Sequence, residues 1–135
     1  MCSCVSNISN HANPILIGEE STSGSMIDIH VVGDYAYVAD GENGMKIIDV
    51  SDPTHPVLES RVITNGFVYG IWAEPDYAYF VDKELGFYAI DVSDFNHPKI
   101  LGTIEMDSEP LSICVSGSYA YITDNVGLKI IKIKP

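Results

Sequence analysis

Tyr35-Ala36-Tyr37-Val38-Ala39-Asp40 returns as Tyr77-Ala78-Tyr79-Phe80-Val81-Asp82 and again as Tyr119-Ala120-Tyr121-Ile122-Thr123-Asp124. The three hexads begin at residues 35, 77 and 119, a period of 42. A repeat of this length marks an array of supersecondary units, each burying its apolar face against the next. The register extends outward from the hexads. Asp49-Val50-Ser51-Asp52 recurs as Asp91-Val92-Ser93-Asp94, and Pro56 recurs as Pro98, with Pro14 one period earlier. Ile15-Leu16-Ile17-Gly18 falls in phase with Lys99-Ile100-Leu101-Gly102, and a degenerate Asn7-Ile8-Ser9-Asn10 takes the Asp-Val-Ser-Asp slot. The third copy is one residue shorter, Asn125-Val126-Gly127 replacing Lys83-Glu84-Leu85-Gly86.

Within one period, short β-branched and aromatic runs are separated by Gly, Pro, Asn and Asp turns, with no apolar spacing of helical period. The unit is all-β. In the middle copy strand A falls at about residues 69–73, B at 77–81, C at 87–92 and D at 99–104. Four antiparallel strands in about 42 residues have the size of one propeller blade. Residues 1–13 are then an N-terminal segment carrying a degenerate repeat end, and residues 14–135 form a three-blade unit. That unit consists of a D strand at 14–20, full repeats at 27–63 and 69–105, and A, B and C strands over 111–134.

Three blades are fewer than the 4 to 8 of a typical closed propeller. The physical solution is closure by oligomerisation, the D strand of one chain completing the last blade of the next. A dimer giving six blades is favoured and a trimer would give nine. Ile15, Leu16 and Ile17 would then bury against Ile130, Ile131 and Ile133, and Glu19-Glu20 would face a strand carrying Lys129, Lys132 and Lys134.

The residues at 35–41 and 44–53, Tyr-Ala-Tyr-Val-Ala-Asp-Gly and Gly-Met-Lys-Ile-Ile-Asp-Val-Ser-Asp-Pro, resemble the LVIVD repeat of β-propeller proteins. The resemblance covers nearly the whole chain. It implies a toroidal scaffold of four-stranded blades, an extracellular or cell-surface location, and no particular reaction. The second copy departs at Phe87-Tyr88-Ala89 and Phe95, and the third at Lys132-Ile133-Lys134-Pro135. A β-trefoil or β-prism also uses three four-stranded units and closes within one chain, which would make the protein a lectin. The Gln-x-Trp signature of ricin-type trefoils is absent from the sequence.

Composition narrows the function classes. The chain has 135 residues, 46% hydrophobic and 19% charged, and its 19 acidic against 7 basic side chains give a net charge of -12. That is too apolar for an acidic disordered tail, and no run approaches the ~20 apolar residues of a membrane span. So acidic a chain is a poor nucleic-acid partner, because such binding rests on Lys and Arg neutralising phosphates. Three cysteines cannot all pair within the chain. Cys2-x-Cys4 lacks the second ligand pair of a metal site, and Asn7-Ile8-Ser9 fits a glycosylation acceptor only in a secretory setting. Met1-Cys2-Ser3-Cys4 has neither the basic nor the apolar region of a signal peptide.

Candidate chemistry is sparse. Asp40, Asp82 and Asp124 recur at one position before a Gly-containing hairpin, where they could ring a cation but more simply accept from turn amides. Asp49, Asp91, Asp52 and Asp94 suit Asx turns, and Lys132 in the third copy would spoil a symmetric metal site there. His55 and His97 sit in exposed turns. Positions that differ between copies are where function could be written: His30, Trp72 and Cys114 form one such set in strand A, and Asp28, Gly70 and Ser112 another. Asp28 with His30 could form an acid-base pair lining a channel, although no Ser or Cys nucleophile is placed beside them. Phe67, Asp107 and Glu109 mark the loop face at the channel mouth, acidic through Glu42 and Glu84. The binding candidates are therefore Asp28, His30, Phe67, Trp72, Asp107 and Glu109. With no Gly-rich phosphate loop, His-Glu-x-x-His motif or nucleophile elbow, the sequence calls for no cofactor and no metal. It reads first as a non-catalytic scaffold binding a protein or surface polymer, second as a lectin, third as an enzyme using the channel.

Overall fold

The computed structural model describes residues 13–21 and 24–134. Cys2, Cys4, the Asn7 acceptor and nearly all of the N-terminal segment lie outside the described residues. Among the described residues eleven strands form three antiparallel sheets. The first contains β1 (Asp28–Val32), β2 (Tyr35–Ala39), β3 (Met45–Asp49) and β4 (Val57–Val62). The middle sheet contains β5 (Val68–Ala73), β6 (Tyr77–Asp82), β7 (Gly86–Asp91) and β8 (Lys99–Ile104). The last has only β9 (Pro110–Ser116), β10 (Tyr119–Asp124) and β11 (Leu128–Lys132). Each sheet is ordered as its strands follow in sequence, a meander in which every connection is a turn.

The period of 42 sets more than strand order. Both complete sheets carry a bulge between their two outermost strands at one repeat position, Ile47/Ile48 and Ala89/Ile90. Gly44 and Gly86 close the B–C hairpins at φ of 80° and 103°. A Cβ at either would strike the carbonyl oxygen of Val62 or Ile104, so the hairpin reaches the end of the outermost strand only because no side chain intervenes.

The sheets pack in series, β1 and β2 on β5, then β5 and β6 on β9. One core layer joins Tyr37, Met45 and Ile47 of the first sheet to Ile71, Phe80 and Ile90 of the middle one. A second joins Tyr79, Val81 and Phe87 to Ile113, Val115 and Ile122. This is a propeller-like array of stacked blades. The D strand expected at residues 14–20 is not a strand here: residues 14–20 lie outside every sheet and Ile15, Leu16 and Ile17 are exposed. The physical reason is pairing. A strand exists only against a partner edge, and within its own chain this segment reaches the turn at Pro53, which Gly18 abuts, instead of β11. Among the described residues no helix is long and apolar enough to cross a membrane.

Candidate functional site

Three places bring together the residues singled out by the sequence: a seam between the innermost strands, the B–C turns, and the outer edge of the last sheet.

Strand alternation at the seam points Asp28 and His30 of β1 toward the middle sheet. Asp28 accepts from Ile29 N at 2.9 Å through Oδ1 and from Ile71 N at 3.1 Å through Oδ2. His30 Nδ1 accepts from Ala73 N at 3.1 Å, and its ring stacks on Trp72 with centroids 4.3 Å apart. Both side chains thus satisfy amides on the inner edge of β5, which has no strand beyond it. Burial lowers the His30 pKa, against the opposing pull of Asp28 and Glu74. A ring with its Nδ1 lone pair engaged and its charge disfavoured is the neutral Nε2–H tautomer. Trp72 packs its remaining surface against the second core layer.

The three recurrent aspartates are buried, and two of them, Asp82 and Asp124, lock turns. Asp82 accepts from Thr64 Oγ1 at 2.8 Å, and from Phe67, Glu84 and Leu85 N at 3.0, 2.9 and 3.1 Å. One carboxylate thereby ties the preceding D–A loop to its own hairpin. Asp124 does the same with Val126 N, Gly127 N and Ser108 Oγ, and takes Lys129 Nζ at 2.8 Å. Lys129 chiefly, then Ser108 and the Gly127 amide, hold the Asp124 carboxyl well below the usual carboxylate range. Asp40 takes Lys46 Nζ at 3.0 Å, both side chains buried. Sequence reasoning missed Lys46. Its signal was the Asp-Lys pairing shared by copies one and three, which Tyr88 interrupts in copy two. Among the described residues no cluster of His, Cys, Asp or Glu could hold a metal ion.

The loop-face candidates divide. Phe67 lies half-buried over the hairpin at Gly41, beside the Gly41–Val68 bridge that links the first two sheets. Asp107 and Glu109 are exposed, and Glu109 reaches Lys83 at 3.9 Å. His55 and His97 are exposed turn residues that approach Asp52 and Asp94 at 3.3 and 3.2 Å, and Asp49 and Asp91 accept from Ser51 and Ser93 amides.

At the outer edge, β11 pairs with β10 on one side and, among the described residues, with no strand on the other. Beside that edge runs a groove of about 640 Å³ between the middle and last sheets, walled by Tyr79, Phe87, Leu101 and Ile104 on one side and by Ile131 and Ile133 on the other. Burial within it raises the Tyr79 pKa to about 12. Ile130, an expected interface residue, is exposed on β11, whereas Ile131 and Ile133 pack against the second core layer.

Stacked antiparallel meanders, two of four strands and one of three, each with a buried aspartate before its B–C hairpin, define an all-β, propeller-like tandem-repeat protein. The LVIVD repeat matches residues 23–64, 65–105 and 111–133, and the chain belongs to the LVIVD-repeat family. None of the curated proteins matches it. Among solved structures the computationally designed Ika8 protein is similar at a TM-score of 0.65 and 7% identity, over 78% of this chain and 32% of that one. The computationally designed Ika4 protein is similar at 0.55 and 7% identity, over 90% of this chain and 99% of its own. The chain spans about a third of the Ika8 length, and at such identity the likeness concerns the fold alone.

Proposed function

We propose that this chain is a non-catalytic repeat scaffold that completes a propeller ring by strand exchange, residues 14–20 of one copy serving as the outermost strand of another copy's last sheet. The observation that carries this reading is the unpaired edge of β11 beside an apolar groove. In the middle sheet β8 occupies the corresponding edge, with Thr103 opposite Tyr88, Gly102 opposite Ala89, Ile100 opposite Ile90 and Lys99 opposite Asp91. Carried forward by the repeat, that register sets Glu19 opposite Lys129, Gly18 opposite Ile130, Leu16 opposite Ile131 and Ile15 opposite Lys132, leaving Ile17 at the bulge.

In that register Leu16–Ile131 is an apolar pair and Glu19–Lys129 an opposite-charge pair. Pairing buries only part of Leu16 and Ile17, since their counterparts Ile100 and Leu101 stay 52% and 57% exposed in the middle sheet, so each contributes less than the about 1.5–3 kcal/mol of full burial, and a cross-strand Glu19–Lys129 pair adds about 0.2–1 kcal/mol. Pairing also removes a free sheet edge. Two copies give six blades, within the range of closed propellers, and three give nine. The engagement of Asp28 and His30 with backbone amides supports a scaffold over an enzyme, since a general acid or base needs a group free to move a proton. In this reading the acidic loop face bearing Asp107 and Glu109 meets a protein or surface polymer at the channel mouth.

Light scattering tests the assembly. The native chain is expected at two or three times its 14.7 kDa, and Leu16→Asp at the monomer mass. A native monomer would overturn the reading and make the lectin alternative, probed on a glycan array, the next candidate.

A further inference from the structure

We infer that copies of this chain join head to tail, the open face of the last sheet docking on the innermost strand β1 of its neighbour and reproducing the two junctions already present inside one chain; this rests on the self-assembly proposed above.

The argument compares identical repeat positions. Ile29, Ile71 and Ile113 stand one period apart on the innermost strands. Ile71 is 2% exposed and Ile113 6%, because each has a preceding sheet packed on it, whereas Ile29 is 58% exposed. Val31 repeats the pattern against buried Ala73 and Val115. On the opposite side of the molecule, Met45 and Phe87 are 0% and 3% exposed beneath the following sheet, and their counterpart Leu128 is 58% exposed. The chain therefore carries both halves of its own internal junction, one at each end of the sheet series. The exposed halves are apolar at these positions, although Thr123 stands where the internal junctions have Ala39 and Val81.

Two different faces that complement each other form a heterologous contact, which closes into a ring when the rotation per sheet allows. One of the polar stitches carries over as well. Asp28 and His30 reach forward to the amides of Ile71 and Ala73, and Ser112 and Cys114 occupy the same positions on β9. At the junction between copies Cys114 faces the amide of Val31 on the neighbouring chain, while the Ile29 amide is already engaged by its own Asp28. The face also selects its partner. An isologous contact would set Leu128 against Leu128 or Ile29 against Ile29, pairings found at neither internal junction.

The test uses two single variants of the full chain at exposed positions, Ile29→Asp and Leu128→Asp, each checked for native circular dichroism. Head-to-tail docking predicts that each alone sediments as a monomer. An equal mixture, well above the concentration at which the native chain assembles, recovers a pair of about 29 kDa, because Ile29→Asp retains a sound last sheet and Leu128→Asp a sound first one. A variant that still pairs by itself, or a mixture that stays monomeric, overturns the inference. If both variants keep the native mass, docking of these faces is wrong while strand exchange stands. A native chain that is monomeric removes the self-assembly reading and this inference together.

Discussion

Phe87 and Leu128 hold one repeat position in the middle and last sheets, yet the first is buried and the second lies open to solvent. Both directly follow the hairpin glycine at the start of the third strand of their sheet, and the repeat register places both on the same side. What differs is the neighbour: β9 and β10 stand over the middle sheet, and among the described residues no strand stands over the last. The contrast teaches that the repeat decides which side a residue takes, while burial is decided by the presence of the next sheet, as in any quasi-one-dimensional array.

The contrast breaks most sharply by mutation. Phe87→Asp should abolish cooperative folding, since truncating a buried Phe already costs about 3–5 kcal/mol and the new carboxylate would be buried without a partner. Leu128→Asp should leave the melting of the isolated chain within about 0.5 kcal/mol, as expected of an exposed position. Thermal denaturation of both variants reads the difference.

The buried aspartates sharpen the same comparison. Lys46→Ala removes the buried ammonium that faces the buried Asp40 carboxylate and should cost about 3–5 kcal/mol in urea titration. Lys129→Ala, at a half-exposed lysine, should cost markedly less, because water can take the place of the ammonium at Asp124.

Acid distinguishes the sheets more gently. The Asp124 pKa is lower in the folded chain than in the unfolded one, so its stabilising effect is complete above pH 4 and fades as pH falls below that. Asp124→Asn should flatten melting temperature against pH between about pH 4 and 2. At the first seam the His30 pKa is lowered, so the unfolded chain protonates first and stability falls as pH drops below about 6.5. His30→Phe should keep the stack on Trp72, remove that slope, and cost about 1–3 kcal/mol through the orphaned Ala73 amide.

Much of this was legible in the repeat. Strands β5 to β8 fall within a residue of their sequence positions, and the aspartate turns are where a carboxylate before a hairpin glycine should be. The rest depended on neighbours that spacing does not reveal. Asp28 and His30 read as a candidate acid-base pair because their true partners, the amides of Ile71 and Ala73, belong to a strand one blade further on. Lys46 escaped notice because a buried ammonium is credible only once its carboxylate is seen beside it. Residues 14–20 have the apolar pattern of a strand, yet among the described residues they pair with no sheet edge.

Hydrogen exchange along β11 tests the account most directly. If a second copy supplies the missing strand, the outward amides of β11 will exchange as slowly as those of β7 at assembling concentrations and faster on dilution or in Leu16→Asp. Rapid exchange of those amides at every concentration, with β7 protected, would contradict it.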